Sequence, residues 1–280
     1  MTTNTFSLGG DLKINRLGFG AMRLPMSTLD GPTRTPENGV AVVRRAVELG
    51  VDHIDTAGFY NRGAVRASEI IREALSPYPE GLVIATKVGP LRGPDGIPSG
   101  QAAPGRLRGL VEADLRTLGL DRLDLVYLRV GGITGAGGES IAERFAVLAE
   151  LREEGLIRHL GVSNVDADQL AEARAIAPVA AVQNSAADGM GLLAECEEAG
   201  IAYVPFFTLG GGGNAIDTER LGAVAARLGA TTAQVAIALT LASSPVALAI
   251  PGTGSLEHLE ENQAAGDLVL SDEDLAFLRA

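Results

Sequence analysis

82-LVIATKVG-89 is apolar on both parities of a two-residue repeat, so a strand formed from it carries two apolar faces. That is the character of a strand covered on both sides in a parallel sheet, and Lys87 is the exception, costly to bury without a counter-charge. Seven further runs share the pattern: RLGFGA (16–21), HIDTA (53–57), DLVYLRV (124–130), HLGVSN (159–164), AAVQNS (180–185), AYVPFF (202–207) and ALAIPG (247–252). Between them, 36-PENGVAVVRRAVELG-50, 104-PGRLRGLVEADLRTLG-119, 139-ESIAERFAVLAELREEG-155 and 166-DADQLAEARAIA-177 place apolar residues at three- and four-residue spacing. Several start near Asp, Thr or Pro and stop just before Gly, as helices do. Strand then helix, repeated eight times, predicts an α/β fold, the closed (β/α)8 TIM barrel, as one domain over residues 1–280. A doubly wound open sheet is the competing fold, but LGFGAM lacks the spacing of its Gly-rich phosphate turn. FSLGGDLKIN, with two glycines at its centre, predicts a short N-terminal β-hairpin plugging the barrel.

A formal net charge of −12 argues against a nucleic-acid partner, which needs clustered Lys and Arg. No run approaches the roughly 18 uninterrupted apolar residues of a membrane span. The single cysteine, Cys196, reads as a structural helix residue, and MTTNTFSLGG lacks the features of a secretion signal, so the expected location is cytoplasmic. Three scattered histidines and one cysteine give no metal-ligand spacing. His53, inside a strand, reads as a packed structural histidine, and His159 falls at a strand start, the stability face of a barrel. With aromatic residues at only 4%, a large aromatic-lined pocket is not expected.

Barrel chemistry gathers at the C-terminal ends of the strands. The polar residues there are Asp55, Tyr60, Lys87, Arg129, Ser163, Asn164, Gln183 and Asn184. Asp55 is the available partner for Lys87, and a cation near a phenol favours release of its proton, so Tyr60 becomes a candidate proton donor. On spacing alone, a structural Asp55–Lys87 ion pair beside an ordinary loop aromatic accounts equally well for the same residues. The glycine-rich VGGITGAGGES after Arg129 reads as a loop able to cover a substrate.

Taken together and in order, HIDTAGFY, ATKVG, GVSN, VQN and IPGTGSLEHLEEN resemble the aldo/keto reductase superfamily over nearly the whole chain, closest to a bacterial subgroup that includes pyridoxal reductases. The resemblance implies a reductase of a small aldehyde or ketone, pyridoxal or a biosynthetic intermediate among them, using NADPH, with NADH as the alternative. In it Tyr60 is the general acid, Lys87 lowers the pKa of Tyr60, and Asp55 orients Lys87. Ser163, Asn164 and Gln183 hold the nicotinamide carboxamide, Phe206 and Phe207 lie by the ring, and Leu209 and Gly211 wrap the pyrophosphate. Gly20, Ala21 and Met22 border the cofactor with Asp55. Thr253, Ser255, His258, Glu261 and Asn262 meet the adenosine end.

Three departures stand out. Arg129 occupies the position of the family's usual histidine; it cannot shuttle a proton, but it can polarise an oxygen or bind an anion. VQNSAADGMGLL lacks the usual aromatic residue and is shorter, which predicts an altered pocket wall. IPGTGSLEHLEEN lacks the lysine and arginine that many members set against the 2′-phosphate. Two other functions fit the same chain: a specialised or redox-neutral biosynthetic reaction, and a non-catalytic protein that senses NADP(H). The sequence leaves the oligomeric state open.

Overall fold

The computed structural model describes residues 4–27, 32–92, 98–132, 135, 136, 138–186, 190–210 and 218–279. Its strands are β1 (Thr5–Leu8), β2 (Leu12–Asn15), β3 (Phe19–Gly20), β4 (His53–Asp55), β5 (Asn61–Arg62), β6 (Val65–Arg66), β7 (Val83–Val88), β8 (Pro90–Arg92), β9 (Pro98–Gln101), β10 (Leu123–Arg129), β11 (Ile157–Ser163), β12 (Val179–Gln183) and β13 (Ala202–Tyr203). The helices are α1 (Pro36–Glu48), α2 (Ala67–Leu75), α3 (Pro104–Leu118), α4 (Ala142–Glu153), α5 (Ala167–Ile176), α6 (Leu193–Ala199), α7 (Thr218–Leu228), α8 (Thr232–Ala242), α9 (Leu256–Ala264) and α10 (Asp272–Arg279).

Seven strands run parallel in the order β3, β4, β7, β10, β11, β12, β13. The eighth expected strand, 247–252, closes the ring through single bridges, Tyr203 to Ala247 on one side and Leu17 to Ala249 on the other. Tyr203 N–H donates to Val246 O at 2.9 Å, and Gly18 and Gly20 donate to Ala249 and Pro251 carbonyls at 2.9 and 3.2 Å. The ladder is short there partly because Pro251 has no N–H to give. At this seam a Cβ on Gly20 would sit 2.6 Å from Ile250 O, and one on Gly252 would sit 2.6 Å from Gly20 O. Backbone meets backbone, so only glycine fits both places.

Alternation along β7 decides what faces where. Val83, Ala85 and Lys87 point into the barrel, while Ile84 and Val88 pack outward in the layer shared with helices such as α3, which contributes Leu107 and Val111. The barrel interior is filled by Val83, Ala85, Leu125, Tyr127, Ala181, Ala202 and Leu248 and is capped from below by Leu8 and Ile14 of the β1–β2 hairpin. Burying each of those two caps is worth roughly 1.5–3 kcal/mol. The hairpin turns at Gly9 and Gly10, with φ of +61° and +88°, and Asp11 ties it to the start of β11 through Arg158 (2.8 Å) and His159 (2.6 Å). A Cβ on Gly9 would overlap the His159 ring, so this histidine anchors the plug.

The helices begin and end as their sequences specify. α3 opens on Pro104 and stops at left-handed Gly119, while α5 and α8 carry capping boxes, Asp166 with Gln169 and Thr231 with Gln234. Cys196 lies buried in α6, where burial pushes its thiol up to about 12, in keeping with a structural role. Among the described residues, no single helix is long and apolar enough to cross a membrane, and no cluster of three His, Cys, Asp or Glu is placed to hold a metal.

Candidate active site

The inward alternation that fills the barrel with aliphatic side chains ends in polar groups at the mouth. Lys87, only 1% exposed, donates to Asp55 Oδ1 at 2.5 Å and to the Thr56 carbonyl at 3.0 Å. An ammonium has three N–H donors, so one remains beyond these two contacts. Nζ also lies 4.9 Å from the centre of the Tyr60 ring. Tyr60 comes from the loop after β4: its N–H bonds the Ala57 carbonyl, its own carbonyl receives Ala67 N–H, and its ring meets Phe59 edge-on at 5.3 Å. Both backbone groups are fixed, so the phenol is held at the mouth. Residues 27 positions apart thus meet, as the strand-end reading requires.

The second oxygen of Asp55 accepts Gln183 Nε2 at 2.9 Å. Gln183 therefore serves here as a brace for the buried ion pair rather than as an open amide. It also bonds Tyr127, whose phenol lies 2% exposed beneath Lys87, with Nζ 5.9 Å from its ring centre. Burial, reinforced by the charge of Asp55, raises the Tyr127 phenol well above its usual range, so it stays protonated. Tyr127 needs room that Gly161 leaves: a Cβ on Gly161 would fall 2.6 Å from the ring. Nothing in the apolar run 124–130 sets Tyr127 apart, although its two-residue offset from Arg129 on β10 puts both on the barrel face.

Asn164 takes a left-handed backbone, φ 66°, and is 1% exposed. Its N–H bonds Asn184 Oδ1 at 2.8 Å, and Nδ2 donates to the carbonyls of Val130 (3.2 Å) and Gly135 (2.6 Å). Asn184 also braces Val165, donating through Nδ2 to its carbonyl at 2.7 Å. Asn164 Oδ1 remains buried without a donor. A buried acceptor costs free energy until a ligand N–H meets it, which fits a carboxamide. Ser163, fully buried, accepts from Arg129 Nη1 at 3.5 Å. Arg129 also donates to Gly132 O at 3.0 Å and stacks over Phe206 with Cζ 4.7 Å from the ring centre.

These groups border a cavity of about 610 Å³. Gly20, Met22, Leu209 and Gly252 line one part, and Arg129, Gly131 and Gly132 another. Phe59, Tyr60, Phe206 and Phe207 line it as well, four of the chain's 7 phenylalanines and 4 tyrosines. The expectation of a pocket without many aromatic residues is corrected: an average over the chain hides four rings gathered at the mouth, as many as lie buried in the core at Phe19, Tyr127, Phe145 and Tyr203. Phe206 and Phe207 meet edge-on at 4.9 Å, and Phe207 adopts a φ of 62°. Ala21 is buried beside Met22, in the turn that follows β3.

At the far end, Thr253 Oγ1 accepts Ser255 N–H at 3.0 Å and Ser255 caps α9. His258, Glu261 and Asn262 follow at three- and four-residue intervals on one side of that helix, with Asn262 buried and His258 exposed. Gly211 lies outside the described residues, as do residues 133, 134 and 137 of the loop after Arg129 and 187–189 of SAADGM. His53 is buried with neither ring nitrogen hydrogen-bonded and packs on Gly18, a structural placement. The residues present fit a nicotinamide dinucleotide: an orphan acceptor at Asn164, aromatic rings at Phe206 and Phe207, and close glycine backbones at positions 20 and 252.

Comparison with known proteins agrees with this geometry. The chain is 46% identical to the pyridoxine 4-dehydrogenase of Escherichia coli (strain K12), over 99% of this chain and 98% of that protein. Among solved structures, an aldo/keto reductase of Klebsiella pneumoniae in complex with NADP and acetate superimposes with a TM-score of 0.79 at 28% identity, covering 99% of this chain and 94% of that one. The thermostable aldo-keto reductase Tm1743, bound to the inhibitor epalrestat, gives 0.81 at 28% identity, over 99% and 98%. The sequence pattern of the aldo/keto reductase family matches residues 16–280, from the first barrel strand to the last described helix, and the chain belongs to that family.

Proposed function

We propose that the protein is an NADPH-dependent reductase of a small aldehyde or ketone, with the 4-formyl group of pyridoxal as the leading substrate. The observation that carries this reading is the Asp55–Lys87–Tyr60 cluster opening into a cavity walled by Arg129 and Phe206. When bound, NADPH would supply the hydride for the carbonyl carbon. Tyr60 gives its proton to the carbonyl oxygen, so the aldehyde leaves as the alcohol. Lys87 stabilises the negative charge that builds on the phenol oxygen, and Asp55, held by Gln183, keeps the ammonium in place. The similarity to a pyridoxine 4-dehydrogenase supports the choice of substrate. The cavity, within the usual range for ligand sites, must admit the nicotinamide end as well, which limits the substrate to a small molecule.

The test is consumption of NADPH with pyridoxal and a panel of other small carbonyls. Pyridoxal is expected to be reduced at a rate well above the blank; tight NADPH binding with no consumption on any carbonyl would overturn the reading in favour of a sensing or redox-neutral role. Arg129 refines it. A guanidinium at the cavity wall favours a substrate carrying an anionic oxygen, such as the ionised ring hydroxyl of pyridoxal. Arg129→Met is expected to lower kcat/KM for such substrates by about 10- to 100-fold and for neutral aldehydes far less. Equal losses on both substrate types would mean that Arg129 only shapes the wall.

A further inference from the structure

In a chain of net charge −12, arginines without a carboxylate partner are informative, and two lie close together beside the cavity. Arg34 sits in the segment before α1 and reaches Gly254, in the turn that leads into α9. Its Nη1 donates to Gly254 O at 3.3 Å, and its Nε is buried with no acceptor. The guanidinium lies flat on that turn: a Cβ on Gly254 would be 2.6 Å from Nε and 2.8 Å from Cζ. Asn38 fixes the same carbonyl from α1, donating through Nδ2 at 2.7 Å. Arg23, a cavity-lining residue, is near enough for the charge of Arg34 to press its pKa down, an effect second to burial. Among the described residues neither arginine forms an ion pair with a carboxylate.

Two adjacent like charges are unfavourable unless an anion comes between or beside them. The neighbouring groups suit one. Thr253 and Ser255 oxygens accept the backbone N–H groups of Ser255 and His258, so both hydroxyl protons remain to be donated. Ser255 also marks the N-terminus of α9, whose dipole favours negative charge. The segment 250–262 itself contains no lysine or arginine and carries Glu257, Glu260 and Glu261, of which Glu260 is paired with Arg45. An anion docking there needs a cation from elsewhere, and Arg34 is the one placed against the turn.

We infer that Arg34, reaching across from the segment before α1, recognises the adenosine 2′-phosphate of NADPH and sets the preference for NADPH over NADH. The inference rests on the cofactor reading above and adds to it a residue outside the C-terminal segment. The test is a fluorescence titration of NADPH and of NADH into the full-length protein, which has no tryptophan to interfere. Parent, Arg34→Gln and Arg34→Lys are compared, with adenosine 2′,5′-bisphosphate and 5′-AMP as competitors. Arg34→Gln is expected to weaken NADPH by about 10- to 100-fold while leaving NADH within about twofold, and to abolish the advantage of the bisphosphate over 5′-AMP. Arg34→Lys should recover part of the loss. Parallel loss of both cofactors in Arg34→Gln, or an unchanged ratio between them, would overturn the assignment while leaving NADPH as the cofactor. Failure of the parent to bind either cofactor would remove both readings.

Discussion

Tyr60→Phe is expected to lower kcat for carbonyl reduction by about 10²- to 10⁴-fold, the range spanned by general-acid catalysis, while the Kd for NADPH stays within about twofold. The substitution removes one oxygen and little else. The ring keeps its edge contact with Phe59, and Lys87 Nζ, 4.9 Å from the ring centre, keeps a π-face to lie over. The loop is held by backbone bonds from Tyr60 N–H to Ala57 O and from Ala67 N–H to Tyr60 O, which phenylalanine preserves. Loss of turnover with cofactor binding intact therefore isolates the proton. Single-turnover rates with pyridoxal, read beside an NADPH titration of the same preparation, make the measurement. A variant that still turns over at near-parental rate would take the general-acid role from Tyr60 and point to a solvent proton instead.

The sequence exposed this site because barrel physics separates the two kinds of residue so sharply. A strand covered on both faces tolerates few polar side chains, so Lys87 inside 82-LVIATKVG-89 and Asp55 at the end of HIDTA stand out, and parallel closure brings their ends to one mouth. The eight runs were visible for the same reason, including 247–252, whose sparse pairing at Pro251 gives bridges rather than a regular ladder. What stayed hidden lacks that contrast. Tyr127 is one more bulky residue in an apolar run until Gly161 is found beneath its ring and Gln183 at its hydroxyl. Arg34 reads as a loop cation because its meaning comes from Gly254, 220 positions away. Asp114 reads as part of a polar helix face, since no local pattern announces that Thr86 and Gly58 will enclose it.

Asp114→Asn should flatten the pH dependence of stability. Asp114 projects from α3 to the outer side of β7, 4% exposed, where Oδ2 accepts the Thr86 hydroxyl at 2.6 Å and Oδ1 faces the loop at Gly58, where an added Cβ would lie only 2.4 Å away. Burial raises its carboxyl from an ordinary 3.8 to about 7, against smaller opposing effects of the Thr86 bond and the Lys87 charge. A folded-state pKa above the unfolded one means that the native state holds the proton more tightly. The stabilisation is complete below about pH 4 and is lost as pH rises through about 7, where the buried group must ionise. The difference corresponds to roughly 4 kcal/mol across that window. Asparagine stays neutral and keeps an oxygen for Thr86, so its stability should not show this loss. Denaturant midpoints of parent and Asp114→Asn at pH 5 and pH 8.5 give the comparison, with other titrating groups common to both cancelling. The variant is expected to gain on the parent by about 2–4 kcal/mol between the two pH values. A pH response equal in both proteins would mean that Asp114 is ionised throughout, compensated by Lys87 across the strand, and that the buried carboxyl belongs to the same charge network as the active-site ion pair.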